Sequence, residues 1–558
     1  MFKKLLVAVV IIGGVLTGYY VLKTFPHRIK IIFMESEMTE RSYEPVLGVY
    51  DRKNEQTQEE VKKIKHYALS LNADDTWEIE KNLLQDLPDS IPVLLTVEMW
   101  DPKGLTKTEQ GLNDDNIRGL FKEILKTRTN IYVRYNPEME VPVNIYPWNN
   151  RPHIYVGAFK HFTKVLKEIN PHVRMVYAPA GVAGALENYP EDDVVDAASI
   201  TLNSNAENHT SFSREPTIEK QLGRKLHRMR FLNKPVFILG SANMEMHLFE
   251  DKWVANALTV IEENKAVIYS EDNFKRPSKE WTKDSAPLIL GFYDPNKLLV
   301  NEKEVKAEHI FLNFQQIEND EHILEIEGVL GRDKDLIISV EPTWWNEDKD
   351  FQILPRIAAG ELDTLISRFY NSLPETDHTI YIRFAHEMEI PITRYPWQSN
   401  DPIDYINAFR HFMNFEHSRG LNIKKIWGPA GDRGLLEWWP GNDVVDYISI
   451  AIYGLPDKDI TDPTKQETFS KILSRKMNRI KLLNKPVFIT EFGVKGDEEF
   501  QTRWLIEAAY ALKQNPRIIG VSYFNYQDSP EVWGDIEPPK WSISTTSYRE
   551  FIRALDIP

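Results

Sequence analysis

At 558 residues, with 42% hydrophobic and 27% charged side chains, the chain is globular and too long for one ordinary domain. A formal net charge of −16 argues against nucleic-acid binding, which needs clustered Lys and Arg to neutralise phosphates. The absence of cysteine excludes disulfides, thiolate metal sites and a cysteine nucleophile.

The first element lies at the N-terminus. Lys3 and Lys4 precede an uncharged run over residues 5–22, and Lys23, Arg28 and Lys30 follow it. Eighteen residues are just enough to span a bilayer, and no A-x-A-like cleavage site comes after them. The expectation is a membrane anchor or signal segment in residues 1–30, read as an uncleaved signal-anchor helix with the body outside the cytoplasm. A cleaved signal peptide is the rival reading.

Beyond this segment the chain repeats itself. Residues 131–150 (IYVRYNPEMEVPVNIYPWNN) and 380–399 (IYIRFAHEMEIPITRYPWQS) are identical at ten of twenty positions. NKPVFI at 233 recurs at 484, DVVD at 193 recurs at 443, and APAG at 178 is echoed by GPAG at 428. Offsets of 249–251 residues in collinear order mean a duplicated domain. The predicted domains are 31–283 and 284–558, joined near the polar stretch 275–285.

The second copy has eight short apolar runs rich in β-branched and aromatic residues: 288–293, 309–314, 336–340, 379–384, 423–427, 445–452, 487–490 and 518–524. Segments of helical period lie between most of them, as at 357–373 and 403–419. This α/β alternation predicts two tandem (β/α)₈ TIM barrels behind the anchor. A doubly wound open sheet is the alternative, but Gly291-Phe292-Tyr293-Asp294 is no phosphate loop.

Catalytic groups of such barrels sit at the C-terminal ends of strands. Glu387 follows the fourth run and Glu491 follows the seventh. Two carboxylates on one mouth suit glycoside hydrolysis with retention, one as nucleophile and one as proton donor. The histidines show no zinc-type spacing, and neither metal nor cofactor is expected.

The second copy resembles glycoside hydrolase family 26, best known for endo-β-1,4-mannanases. The resemblance rests on Arg383-Phe384-Ala385-His386-Glu387-Met388 followed by Tyr395-Pro396-Trp397, on Ala359-Gly360-Glu361-Leu362-Asp363 upstream, and on Trp438-Trp439-Pro440-Gly441-Asn442-Asp443, Asp446-Tyr447-Ile448 and Lys485–Gly493 (KPVFITEFG) downstream. It implies a barrel that cleaves β-linked polysaccharide with retention, with Glu387 as acid/base and Glu491 as nucleophile. It further implies that His386 contacts the sugar, that Tyr453 bonds the nucleophile, and that Trp397 and Phe524 line the sugar site. Mannan is the expected substrate; mixed-linkage β-glucan and β-1,3-xylan are also family substrates. Where the family has Asn-Gly after H-E-M, this chain has Glu389-Ile390, and a further carboxylate near the cleft is expected to alter the sugar accepted. Arg383 is either a substrate contact or an ion-pair partner. Trp438 and Trp439 beside a Pro-Gly turn, and Trp344 and Trp345 after the third run, are expected sugar platforms.

The first copy keeps Glu138 opposite Glu387 but has Pro137 for His386, Gly240 for Glu491 and Asn203 for Tyr453. Without a nucleophile it is expected to be a degenerate, non-hydrolytic barrel. Nine tryptophans lie in 285–558 against five before, which agrees with one working cleft. The expected protein is a membrane-anchored extracytoplasmic β-glycanase with polysaccharide as substrate, working near synthesis or export machinery. A glycan-binding scaffold and a transglycosylase using the same site are the alternatives.

Overall fold

The computed structural model describes residues 48–49, 65–72, 91–127, 131–142, 144–202, 218–232, 234–240, 259, 281–282, 287–345, 348–398, 400–416, 420–454, 467–528 and 537–556. The apolar run at 5–22 and Asn203 fall outside them. Among the described residues no helix is long and apolar enough to cross a membrane. The chain divides into two compact units, one reaching Asn264 and the other running from Lys265 to Pro558.

The first unit is a curled, all-parallel sheet. Its described strands are β1 (Gly48–Val49), β2 (Lys65–Leu71), β3 (Val93–Met99), β4 (Ile131–Tyr135), β5 (Arg174–Tyr177), β6 (Ala197–Leu202) and β7 (Val236–Gly240). They lie in the order β1-β7-β6-β5-β4-β3-β2. The expected ring of eight therefore shows seven strands among the described residues of this unit.

The second unit is a closed barrel of parallel strands. They are β8 (Ile289–Tyr293), β9 (Ala307–Asn313), β10 (Asp335–Glu341), β11 (Ile380–Phe384), β12 (Ile423–Trp427), β13 (Tyr447–Ile448), β14 (Ala451–Gly454), β15 (Val487–Val494) and β16 (Ile518–Phe524). β16 pairs with β8 and β13 with β15, which closes the ring. β13 and β14 are two pieces of the sixth strand, so all eight predicted runs are strands. Asp401, Thr468, Asp497 and Ser544 begin helices by accepting from backbone N–H groups of the first turn. The helix expected over 357–373 is broken: Ile353–Ala358 ends, Gly360 takes φ +78°, and Asp363–Ser372 follows. Only glycine adopts that φ without cost, so the chain turns there.

Strand alternation builds the core in layers. Ala307, Ile337, Tyr381, Ile426 and Phe488 form one cluster, with Ile289, Tyr447 and Ile519 against it, so every strand of the ring contributes. The first unit repeats this layer with Leu94, Val176, Ala197 and Phe237, and with Tyr132 against them. Aligned positions thus fill the same layer in each unit.

Candidate active site

Above the apolar layer of the second unit, the next inward positions are polar. Two residues on from Ile337 is Ser339, and two on from Tyr381 is Arg383; both are buried. Arg383 Nε donates to Ser339 Oγ at 2.7 Å. His309 Nδ1 lies 3.1 Å from the Thr490 carbonyl, which can only accept, so Nδ1 carries the proton. Its Nε2, 2.7 Å from Ser339 Oγ, then accepts the serine proton. Burial, reinforced by the Arg383 charge, holds His309 well below its usual pKa and keeps it neutral. One chain of hydrogen bonds thus runs from Arg383 through Ser339 and His309 to the backbone of β15.

The chain orients Arg383 toward the nucleophile candidate. Arg383 Nη2 donates to Glu491 Oε1, and Tyr453 Oη donates to Glu491 Oε2 at 3.0 Å. Burial alone raises the Glu491 pKa, but Arg383 and the hydrogen bonds outweigh it, and the carboxyl titrates below its ordinary value. Strict alternation would put Phe488 and Glu491 on opposite faces. The register of β15 against β16 shifts between Ile489 and Phe492, and this irregularity brings both inward. Gly428 makes room for Arg383, because a Cβ there would sit 2.4 Å from Arg383 Cδ.

Glu387 is aimed differently. It has φ +54° and follows Ala385 at φ +47°, so two non-glycine residues hold left-handed backbone at the end of β11. Such strain is sustained only where surrounding contacts enforce it. Here Glu387 N donates to Gly428 O at 2.9 Å, and Gln398 Nε2 donates to Glu387 O at 3.1 Å. Burial, then the charges of Glu491 and Glu389, lift the Glu387 carboxyl to about 8. At neutral pH one glutamate is therefore ionised and the other protonated.

A third acid, Glu341 at the end of β10, had no signal in the sequence beyond its place at a strand end. It is buried, has Trp345 beside it and lies 3.9 Å from His386 Nε2. Burial, opposed by Arg383, raises it to about 7. His386 is buried and held neutral, and its Nδ1 has no hydrogen-bond partner among the described residues. Tyr395 and Trp345 pack edge to face with centroids 5.9 Å apart, and Trp345 is 48% exposed. Phe524 is half-buried beside Tyr453 and Tyr293.

Several expectations are corrected. Arg383 is 1% exposed and engaged with Glu491 and Ser339, so it positions the nucleophile candidate and does not reach substrate. Trp397 is fully buried, donates to His386 O and lies stacked behind Tyr395, which is the ring left half-exposed. Trp438 and Trp439 are buried, with Trp439 edge-on to Trp427, so they form wall and offer no sugar platform. Trp344 donates to Glu318 and packs on Phe314, while Trp345 joins the acids. Glu389 accepts from the backbone N–H groups of Ala430, Gly431 and Asp432 at 2.8–3.3 Å. It is a loop brace, not a carboxylate of the cleft.

The first unit shares the brace and lacks the nucleophile. Glu140 accepts from Ala180, Gly181 and Val182 N–H groups, and Lys225 donates to Ala180 O as Lys476 does to Ala430 O. His66 and Thr96 repeat the His309–Ser339 pair at 2.7 Å. Gly240 ends β7 where Glu491 stands on β15. Ala178 replaces Gly428, and Arg134 meets Thr96 through Nη1 at 3.3 Å. Among the described residues no cluster of three His, Asp or Glu could hold a metal.

No known family model matches the chain. A 210-residue stretch is 25% identical to Endoglucanase H of Acetivibrio thermocellus, covering 36% of this chain and 23% of that protein. A 111-residue stretch is 29% identical to a beta-1,3-xylanase of an Alcaligenes species, covering 19% of this chain and 23% of that protein. The chain thus spans about a quarter of the length of the curated relatives it matches. Among solved structures, a broad-specificity GH5-4 endoglucanase from Ruminococcus flavefaciens aligns at TM-score 0.35 and 15% identity, over 46% of this chain and 84% of that one. GH26A from a Muricauda species aligns at TM-score 0.30 and 13% identity, over 43% and 83%. The curated relatives are glycoside hydrolases by name.

Proposed function

We propose that the second unit is a retaining glycoside hydrolase acting on a β-linked polysaccharide, with Glu491 as nucleophile and Glu387 as acid/base. The observation that supports this most is the split between two glutamates at the ends of the fourth and seventh strands. Arg383 and Tyr453 keep Glu491 ionised, while burial and neighbouring charge keep Glu387 protonated. Opposite environments for two carboxyls are what double displacement requires.

In the first half-reaction the Glu387 proton passes to the glycosidic oxygen as that oxygen leaves the anomeric carbon. A Glu491 oxygen forms the new bond, giving a glycosyl ester. Glu387, now ionised, takes a proton from water as the water oxygen attacks the same carbon and Glu491 departs. Arg383 and Tyr453 stabilise the carboxylate when it is free. The buried Nδ1 of His386, without a hydrogen-bond partner among the described residues, and the half-exposed Tyr395, Trp345 and Phe524 supply polar and aromatic contacts for sugar. The substrate is proposed as β-mannan, from the resemblance, with β-glucan and β-1,3-xylan next in view of the relatives. The body is proposed to work outside the cytoplasm, held to a membrane by residues 5–22 and near polysaccharide synthesis or export machinery.

The test compares wild-type chain with Glu491→Gln on mannans, mixed-linkage glucans, xylans and bacterial exopolysaccharides. New reducing ends from wild type alone, with retained anomeric configuration by NMR, are expected. Binding of a glycan by both proteins with cleavage by neither would overturn the reading in favour of a scaffold. Products longer than the substrate would show transglycosylation at the same two carboxylates.

A further inference from the structure

We propose that the first unit holds a second, non-hydrolytic binding site for a β-linked oligosaccharide, formed by Glu98, Trp100, Glu138 and Tyr146. The inference rests on the reading of the second unit as a β-glycanase. It goes beyond it by giving the unit without a nucleophile a ligand of its own.

Half of the mouth is built twice. Trp100 Nε1 donates to Glu98 Oε2 at 3.2 Å, and Trp345 lies beside Glu341 at the matching place. Trp100 meets Tyr146 at 5.8 Å and 77°, and Trp345 meets Tyr395 at 5.9 Å and 67°. Tyr146 stacks on Trp148 at 4.9 Å and 6°, and Tyr395 on Trp397 at 4.5 Å and 1°. Trp148 and Trp397 donate to the carbonyls of Pro137 and His386, each at 2.7 Å. Asn136 and Glu138 hold φ of 43° and 59°, matching 47° and 54° at Ala385 and Glu387. The other half differs, since Gly240 stands at the nucleophile position.

The duplicated half therefore cannot be explained by hydrolysis in the first unit. Nor is it all scaffold. Glu140 and Trp148 are buried and bind backbone, as a brace does. Trp100 and Tyr146 are only half-buried, and their polar edges meet acids, with Tyr146 Oη donating to Glu138 Oε2 at 3.0 Å. Paired carboxylates that accept hydroxyls beside ring faces that accept C–H surfaces match a sugar chain. Burial lifts Glu98 to about 7, so this acid can also donate a hydrogen bond at neutral pH. Without a nucleophile the chain is held and not cut.

The test uses the full chain carrying Glu491→Gln, titrated calorimetrically with the oligosaccharide that the wild-type chain cleaves best. Two equivalents are expected to bind. Adding Trp100→Ala should weaken one of them by about tenfold or more, equivalent to about 1.4 kcal/mol. Trp345→Ala should weaken the other. Wild-type chain carrying Trp100→Ala should cleave short oligosaccharides at the unchanged rate. Glu98→Gln and Tyr146→Phe, which preserve shape, cover the case in which Trp100→Ala fails to fold, and each should weaken the same equivalent. A single equivalent, or two that all three first-unit substitutions leave intact, would overturn the proposal. Failure of the β-glycanase reading is separate and shows as no cleavage by the wild-type chain.

Discussion

Replacing Arg383 by Met tests how the nucleophile candidate is kept ionised. The change preserves an unbranched stem but removes both the ion pair to Glu491 and the hydrogen bond to Ser339. Glu491 is 6% exposed, so its charge would be left buried with Tyr453 as its remaining side-chain donor. Breaking a buried pair by removing one partner costs about 3–5 kcal/mol. For a unit of this size that is a drop in melting temperature of about 5–9 °C. The pH dependence gives the sharper signature. In wild type the Glu491 pKa is depressed, so its contribution to stability is present above the unfolded-state value and lost as pH falls. In Arg383→Met burial raises that pKa, and stability is lost instead as pH rises from the unfolded-state value through neutrality. Thermal melts at pH 4.5 and 7.5 should therefore show a small deficit at the lower pH and a large one at the higher. Adding Glu491→Gln should recover part of the deficit at pH 7.5. A variant within 2 °C of wild type at both values, or one not rescued by the second change, would refute the assignment of Arg383 as the group that holds Glu491 charged.

Four more outcomes follow from the same geometry. The profile of kcat/KM against pH should be a bell, with an alkaline limb near 8 as Glu387 loses its proton and an acid limb below the ordinary carboxylate range as Glu491 gains one; an alkaline limb unmoved by Glu387→Gln would count against Glu387 as the acid. Glu387→Gln should slow turnover about 10²–10⁴-fold and yet stabilise the fold. A folded pKa of about 8 against an unfolded 4.5 means that stability falls as pH rises between them, so removing the group gains about 3 kcal/mol at pH 7, read by urea unfolding. Glu389→Gln should lower stability by about 1–3 kcal/mol by weakening three backbone contacts, with KM unchanged; altered sugar preference instead would restore Glu389 to the cleft. Gly428→Ala should push Arg383 off Glu491 and lower kcat with little effect on the first unit, and a fully active variant would show that Arg383 can shift freely.

Much of this protein is legible in one dimension. The duplication, the eight apolar runs and the layer filled by Ile337, Tyr381, Ile426 and Phe488 follow from periodicity, because alternation in a strand decides which side chain meets the core. Glu387 and Glu491 stand out as acids at strand ends, and comparing the copies exposes Gly240 as the lost nucleophile. Other features depend on contacts between distant segments. Glu491 faces inward only because β15 shifts register against β16, and no residue pattern announces that shift. Arg383 belongs to Glu491, 108 residues away, and reaches it past a glycine just beyond the end of a third strand. Glu389 turned out to serve the backbone of another loop, not a sugar. Trp345 and Tyr395 keep exposed surface while Trp397, Trp438 and Trp439 do not, since the sequence shows how many rings there are and only packing shows which faces are covered. The charge states of the two glutamates are tertiary for the same reason. They are set by burial and by neighbours brought together from four strands, and neither has a counterpart in the local sequence.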